Sequence, residues 1–128
     1  MPVTRVAIRK GKSAAYKQAI LDGIYAAQLD AVHIGEGDRF MALSEHEASE
    51  FAYGANFLGI GRTDELVQIQ VFWAPGKGAD MKKVMYRKIV ENLGRNPGVR
   101  AEDIMISVFE APAENWSFGN GEAQFFKG

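Results

Sequence analysis

The sequence predicts an α/β (α+β) fold, in which a tandem β-α-β repeat forms one four-stranded mixed sheet with two helices on one face. Three observations predict it. Two segments alternate apolar and polar residues as strands do, a segment with apolar residues at helical spacing follows each, and a second short strand follows each helix. The 128 residues, 47% of them hydrophobic, can form one core. We expect a single domain over residues 1–128, with repeat halves at about 2–45 and 67–110.

The first half predicts a strand, a helix and a second strand. The first strand is predicted over Pro2–Arg9, where Val3, Val6 and Ile8 are the large apolar residues. The helix is predicted over Ser13–Ala31, with Ser13 as its N-cap. Its apolar face consists of Tyr16, Ile20, Ile24, Ala27 and Ala31. Two glycines then break the chain before the second predicted strand, Arg39–Leu43.

The second half repeats this order. Leu66–Trp73 has Val67, Ile69, Val71 and Trp73 on one face and Gln68 and Gln70 on the other, which predicts a half-buried strand. A helix is predicted over Ala79–Leu93, and Gly94 is its expected C-cap. Asp103 opens the last predicted strand, Ile104–Phe109.

The two halves superimpose under one shift of 65 residues without a gap. The matched pairs include Val6 with Val71, Lys17 with Lys82, Asp38 with Asp103, and Glu45 with Glu110. The match between the halves indicates an internal repeat, although any two β-α-β units show a similar order of elements. The predicted fold is the same in both cases. Two stretches lie outside the repeat: residues 46–65, expected to be loop with short strand or 3₁₀ pieces, and a tail at 111–128.

Composition excludes several classes of function. The chain has no cysteine, which excludes disulfides, thiolate catalysis and iron–sulfur clusters. Its 15 basic and 16 acidic residues nearly cancel, so we expect no binding to nucleic acid or to a membrane surface. His33 and His46 are far apart in the sequence, and we expect no metal site. No apolar run approaches the roughly 20 residues of a membrane span, and no signal peptide is recognised, so a cytoplasmic location is expected.

Polar residues converge on one edge of the predicted sheet. Strands joined by a right-handed crossover run parallel, so Pro2, which begins the first strand, and Asp38, which precedes the second, lie at the same edge. If the halves are related by a pseudo-twofold axis, the end of the third strand arrives there too. The expected site therefore contains Pro2, Asp38, Arg39 and the turn at Ala74–Lys77.

The chemistry expected at this edge of the sheet depends on the amine of Pro2. Removal of Met1 exposes the secondary amine of Pro2, and an α-amino group has a pKa of about 7.7–8.0. Such a group can move a proton between carbon and oxygen. A cation such as Arg39 or Lys77 can bind a substrate carboxylate or an enolate. Taken singly, Pro2 and Asp38 fit structural roles better than catalytic ones.

Together, these residues resemble the tautomerase superfamily, in particular its branch typified by malonate semialdehyde decarboxylase. The resemblance rests on Pro2 and on the runs Gly37–Phe40, Gly59–Asp64 and, above all, Asn115–Gly121. It implies homotrimers, no cofactor and an N-terminal proline that acts as acid or base. It also implies that Asp38 handles a water molecule and that an aromatic wall binds the substrate. That wall consists of Trp116, Phe118 and Phe125.

The turn after the third predicted strand differs in sequence from that of the malonate semialdehyde decarboxylase branch. Where the decarboxylase has Arg-Pro-Arg after the third strand, this chain has Ala74-Pro75-Gly76. Loss of two charge-assisted contacts disfavours the same anionic substrate, and Lys77, Arg39 or Arg62 would have to supply the charge. We therefore expect an enzyme acting on a small keto/enol acid or related carbonyl compound by tautomerisation, hydration or decarboxylation. The alternative is a metabolite-binding or scaffold module on the same fold.

The tail carries four aromatic residues among glycines, an unusual composition for a solvated segment. They are Trp116, Phe118, Phe125 and Phe126. A tail of this kind is expected to pack against another surface, such as a second subunit.

Overall fold

The computed structural model describes residues 2–128, and the removal of Met1 therefore concerns a residue outside the described part. The strands and helices are β1 (Val3–Arg9), α1 (Ala14–Val32), β2 (Phe40–His46), β3 (Val67–Trp73), α2 (Ala79–Arg95) and β4 (Ile104–Glu110). The sheet order is β2-β1-β3-β4, with β1 parallel to β2, β3 parallel to β4, and β1 antiparallel to β3. The predicted tandem β-α-β fold is confirmed.

The core lies between the helices and one face of the sheet. Alternate strand residues enter it, and those with almost no exposure are Val6, Ile8, Val67, Ile69, Val71 and Trp73. Both helices contribute the apolar faces that their spacing predicts, with Ile20, Ile24, Met85, Ile89 and Leu93 fully buried. No helix of residues 2–128 covers the opposite face of the sheet, which is called the open face below. Its residues include Val3, Arg5, Gln68, Phe72, Met105 and Phe109.

Local contacts fix the helices. Ser13 accepts a hydrogen bond from the Tyr16 amide at 3.1 Å and caps α1 as predicted. The helices approach closely at Gly23, where an added Cβ would lie 2.8 Å from a Leu93 methyl carbon. Gln28, which the periodicity did not select, is buried and donates a hydrogen bond to Thr4 at 2.8 Å. In the described part of the chain, neither helix has the length and apolar character needed to cross a membrane.

Two predicted boundaries were wrong. β2 continues to His46 rather than ending at Leu43, because its whole length pairs with β1. Gly94 is not the cap of α2: the helix continues to Arg95, and the amide of Asn96 bonds to Asn92 at the cap. Asn96 is followed by Pro97, which has no amide hydrogen to continue the helix.

The pseudo-twofold relation between the halves extends to side-chain contacts. Lys17 on α1 pairs with Glu45 on β2 at 2.5 Å, and their counterparts Lys82 and Glu110 pair at 3.2 Å. The relation also reaches the segments predicted to lie outside the repeat, because the 3₁₀ turns Ala48–Glu50 and Ala113–Asn115 fall at matching positions. Both connecting segments thus leave the sheet in the same way.

Asp103 anchors the loop before β3. Its carboxylate is fully buried and accepts hydrogen bonds at 2.7 Å from both the amide and the hydroxyl of Thr63. Arg100 lies 3.4 Å from the same carboxylate. A buried carboxylate with these partners holds the loop to the start of β4.

Replacing Asp103 by alanine is expected to lower the free energy of unfolding by about 3 kcal/mol, because two charge-assisted hydrogen bonds from the half-buried Thr63 are lost. Urea denaturation measures the change. Asp64→Ala is the matched control: that exposed carboxylate also has two partners, Arg9 at 2.6 Å and Tyr53 at 2.7 Å, but solvent screens them. Equal destabilisation by the two substitutions would contradict the anchoring role.

Candidate active site

The start of β1 meets the start of β2 and the end of β3 at one edge of the sheet. Val3 pairs with the first residue of β2 and with Phe72 of β3. If the pairing of β1 with β2 and β3 is extended by one residue beyond Val3, Pro2 lies between Arg39 and Trp73. Pro2 is buried. The strand ends therefore converge where the sequence predicts.

Asp38 lies in the turn that leads into β2. It is half-buried, and its amide bonds to the carbonyl of Gly35 at 3.2 Å. The parallel register of β1 and β2 puts Asp38 one residue before the neighbour of Pro2. The backbone of Asp38 therefore lies at the same edge of the sheet as Pro2.

Arg39 points toward α1. Its guanidinium donates to Asp22 at 2.6 Å and lies over the ring of Tyr25, with Cζ 4.5 Å from the ring centroid. The hydrogen bond from Arg39 holds the pKa of Asp22 below its ordinary value, so Asp22 is ionised at neutral pH and balances the guanidinium charge. The sequence could not predict this pairing, because Asp22 and Arg39 belong to different elements.

Lys77 is a second cation at this edge. Its Nζ lies 5.0 Å from the ring centroid of Trp73, the residue that the register sets beside Pro2. Within residues 2–128, Lys77 has no ion-pair partner within 4.0 Å. Its charge is therefore better placed than that of Arg39 to meet an anion.

Trp73 itself has an unsatisfied donor. The side chain is fully buried, and its indole Nε1 finds no hydrogen-bond partner among the described residues. A buried polar group in this state is costly unless a ligand or water accepts the hydrogen bond.

A cavity of about 420 Å³ lies on the open face of the sheet, at the end of β3. Its apolar walls are Val3, Phe72, Phe109 and Trp116, and the rings of Phe72 and Phe109 are stacked with centroids 5.0 Å apart. Arg5 is its cation: this exposed side chain makes no ion pair with another described residue. Sequence analysis missed Arg5, although the alternation of β1 puts it opposite the buried Val6.

The predicted aromatic residues of the tail form one cluster beside this cavity. The rings of Trp116 and Phe118 are stacked 5.6 Å apart, and Phe118 meets Phe125 at 5.0 Å. Trp116 donates its indole hydrogen to Ala111 at 2.9 Å. Gln124 accepts from the Phe118 amide at 2.9 Å and fixes the loop between them. The tail thus packs beside this cavity, and Trp116 lines it.

Arg62, the other candidate cation, is a structural residue of a different region. Its Nη1 donates to the carbonyls of Gly54, Phe57 and Ile60 at 3.0–3.3 Å. It lies before β3, whereas the Pro2 edge is at the end of β3. Arg62 therefore shapes a loop away from the candidate site.

Comparison with known proteins identifies the family. A family model described as "Tautomerase enzyme" matches residues 38–119, more than half of the chain. The chain belongs to this tautomerase family. A relative from Bacillus subtilis (strain 168), the probable tautomerase YusQ, is 33% identical over 127 residues, which cover 99% of this chain and 100% of the relative.

Solved structures agree with this assignment to the tautomerases. A malonate semialdehyde decarboxylase inhibited by 3-bromopropiolate is 30% identical, with a TM-score of 0.89 over 96% of this chain and 93% of that chain. A fused 4-OT, described as a symmetric trimer, has the same fold at 18% identity, with a TM-score of 0.76 over 93% of this chain and 95% of that chain. The predicted membership of the tautomerase superfamily is confirmed.

The turn after β3 distinguishes this tautomerase from the Arg-Pro-Arg pattern. Gly76 has a φ of 122°, and its pseudo-twofold counterpart Gly11 has a φ of 118°. Residues with a side chain rarely adopt such angles. The turn therefore requires glycine where the pattern has its second arginine, whereas half-buried Ala74 has no such restriction.

Proposed function

We propose that this chain is a cofactor-independent tautomerase-type enzyme in which the amine of mature Pro2 is the general acid/base. Its substrate is a small keto/enol acid or related carbonyl compound. The observation that supports the proposal is the convergence of the start of β1, the start of β2 and the end of β3 at one sheet edge, where Pro2 is buried. A homotrimer and a cytoplasmic location, which the resemblance and the composition suggest, belong to the same proposal.

In the proposed mechanism the amine of Pro2 accepts one proton and returns it in each turnover. The neutral amine of Pro2 takes the hydroxyl proton of the enol, the enolate carbon takes a proton from the resulting ammonium group, and the amine is regenerated. The neutral form of the amine is the one that accepts the proton. Lys77 balances the enolate charge.

Asp38 positions the amine or a water molecule in this scheme. Water held by Asp38 would add to an unsaturated acid if the enzyme is a hydratase. Decarboxylation makes stronger demands, because the substrate carboxylate has to be held by cations, and the turn at Ala74–Gly76 supplies none. Keto–enol tautomerisation is therefore the favoured reaction.

The test is ketonisation of an enol acid such as enol phenylpyruvate by the chain with Met1 removed. Asp38→Asn is expected to lower kcat/KM by about 10²-fold, since a positioned acid/base group contributes at least that much. Asp30→Asn is the matched control, because Asp30 is an exposed aspartate on α1 whose nearest cation is 3.9 Å away, and it should leave the rate unchanged.

Two results would overturn the enzymatic proposal. One is the absence of turnover across a panel of small keto and enol acids. The other is equal activity of the Asp38→Asn and Asp30→Asn variants. A panel member that raises the melting temperature without reacting would favour the metabolite-binding module instead.

A further inference from the structure

Asp38 lies at the centre of a tight turn between α1 and β2. The amide of Arg39 donates a hydrogen bond to the carbonyl of Gly37 at 2.9 Å, which closes a three-residue turn around Asp38. The amide of Asp38 itself bonds to the carbonyl of Gly35 at 3.2 Å. Gly37 has a φ of 74°, in a region that favours glycine. The position of the Asp38 side chain therefore depends in part on how the ends of this turn are held.

Arg39, at one end of this turn, is fixed to α1 by two different contacts. Its Nη2 donates to Oδ1 of Asp22 at 2.6 Å, and its Cζ lies 4.5 Å from the ring centroid of Tyr25. The hydrogen bond fixes one nitrogen of the guanidinium group, and the ring contact fixes the group as a whole. These two contacts together restrict the arginine side chain more than a single ion pair does.

The partners of Arg39 share one face of α1. Gln18, Asp22 and Tyr25 are spaced four and three residues apart, which puts their side chains on the same side of the helix. Gln18 donates a hydrogen bond to the same oxygen of Asp22 at 3.0 Å. The hydrogen bonds from Arg39 and Gln18 lower the pKa of Asp22, so its carboxylate is charged at neutral pH. The helix therefore presents an oriented, charged acceptor to the turn.

The contact between Asp22 and Arg39 is too exposed to contribute much to folding. The Asp22 side chain is 55% exposed and that of Arg39 is 34% exposed. Ion pairs with such exposure add little to the free energy of unfolding. The location of this pair, however, is the candidate site: Arg39 follows Asp38 directly in the chain, and the extended register of β1 and β2 sets it beside Pro2. A change in the contact therefore acts on the site more than on the fold.

We propose that Asp22 is a positioning residue, which acts through Arg39 to hold Asp38 where it can orient the Pro2 amine or a water molecule. The inference rests on the proposed function, in which Asp38 has that task. Displacement of an acid/base group by about 1 Å is enough to lower a rate about 10²-fold. Asp22 is assigned no contact with the substrate or the amine, and its effect is transmitted by the turn.

A substrate-binding Arg39, as the sequence predicts, would behave differently. Loss of the Asp22 carboxylate would release the guanidinium group, which would then bind a substrate carboxylate more tightly and lower KM. A positioning role predicts a lower kcat with KM unchanged, because the substrate is bound as before while the acid/base group is displaced. The two roles are therefore separated by which kinetic constant changes.

The first test is steady-state kinetics of the mature chain with an enol acid such as enol phenylpyruvate. Asp22→Ala should lower kcat about 10-fold and keep KM within about twofold. Asp30→Ala is the matched control, because Asp30 is another exposed aspartate of α1, 3.9 Å from Lys88, and its loss should leave both constants unchanged. Asp22→Glu keeps the charge and should retain most of the activity. A lowered KM in Asp22→Ala, or the same kcat in the two alanine variants, would overturn the proposal.

A double substitution shows whether Asp22 acts through Arg39. Substitutions of residues that act as one unit have non-additive effects, so the kcat of Asp22→Ala/Arg39→Gln should equal that of Arg39→Gln alone. The melting temperatures of Asp22→Ala and Asp30→Ala should agree, since both carboxylates are exposed. Losses that multiply in the double variant, or a melting temperature of Asp22→Ala well below that of the control, would contradict the proposal.

Hydrogen exchange followed by NMR tests the turn without any substrate. The amides of Asp38 and Arg39 bond within the turn, and both should exchange about 10-fold faster in Asp22→Ala and at unchanged rates in Asp30→Ala. Unchanged exchange in Asp22→Ala would overturn the proposal, as would faster exchange with an unchanged kcat. If no form turns over substrate while exchange at these amides still accelerates, the proposed function fails and the link between Asp22 and the turn stands.

Discussion

A chain that keeps a residue in front of Pro2 is expected to lose about 10²–10⁴-fold in kcat/KM for enol ketonisation, the range that a general acid/base contributes. A preceding residue converts the secondary amine into a tertiary amide, which has no basicity. Pro2 is buried where the register sets it between β2 and β3, and the proposed mechanism assigns both proton transfers to its amine. The loss should therefore appear in kcat as well as in kcat/KM.

The control uses the same chain before and after cleavage. Protein that carries Met1, made with the cellular aminopeptidase inhibited, should be inactive, and treatment with purified methionine aminopeptidase should restore the rate. Melting temperature and oligomeric state should be equal in both forms. Full activity with Met1 attached would show that the Pro2 amine is not the catalytic group.

Replacing Ala74 by arginine is expected to lower KM for a carboxylate substrate about 10- to 100-fold. One charge-assisted hydrogen bond contributes about 1.5–3 kcal/mol, and each 1.4 kcal/mol is a factor of ten. Ala74 follows Trp73 directly, at the edge that holds Pro2, and it corresponds to the first arginine of the Arg-Pro-Arg turn. Steady-state kinetics with an enol acid and with its methyl ester measure the effect.

The ester is the matched substrate, because it lacks the charge that the new guanidinium would bind. KM for the ester should stay unchanged, and equal changes for acid and ester would contradict the binding model. The corresponding Gly76→Arg chain should gain less and be less stable, since a φ of 122° is strained for arginine. The two positions of the turn are therefore not interchangeable.

Sequence periodicity predicts the architecture because each half repeats the same apolar spacing. Ile20 and Ile24 on α1, and Ile69 and Val71 on β3, all lie in the core where the spacing puts them. The end of α2 was less predictable. Gly94 is a common type of C-cap, yet the helix continues past it, because hydrogen bonding at the cap depends on the chain beyond it.

The site was predictable only as far as strand topology reaches. Parallel strands bring Pro2 and Asp38 to one edge, and no tertiary detail is needed to see this. The direction of the Arg39 side chain depends on Asp22 of another element, and periodicity carries no information on such pairs. Arg5 was missed for a related reason: the open face becomes a cavity wall only after the tail has packed beside it.

The central claim is that mature Pro2 carries a reactive, uncapped amine, and covalent labelling tests it most directly. Mature protein treated with 3-bromopropiolate, the inhibitor present in the related decarboxylase structure, is digested and analysed by mass spectrometry. The account predicts one adduct per chain, located on Pro2, with loss of activity in proportion to labelling. Adducts spread over the lysines, with Pro2 unmodified and activity retained, would contradict it.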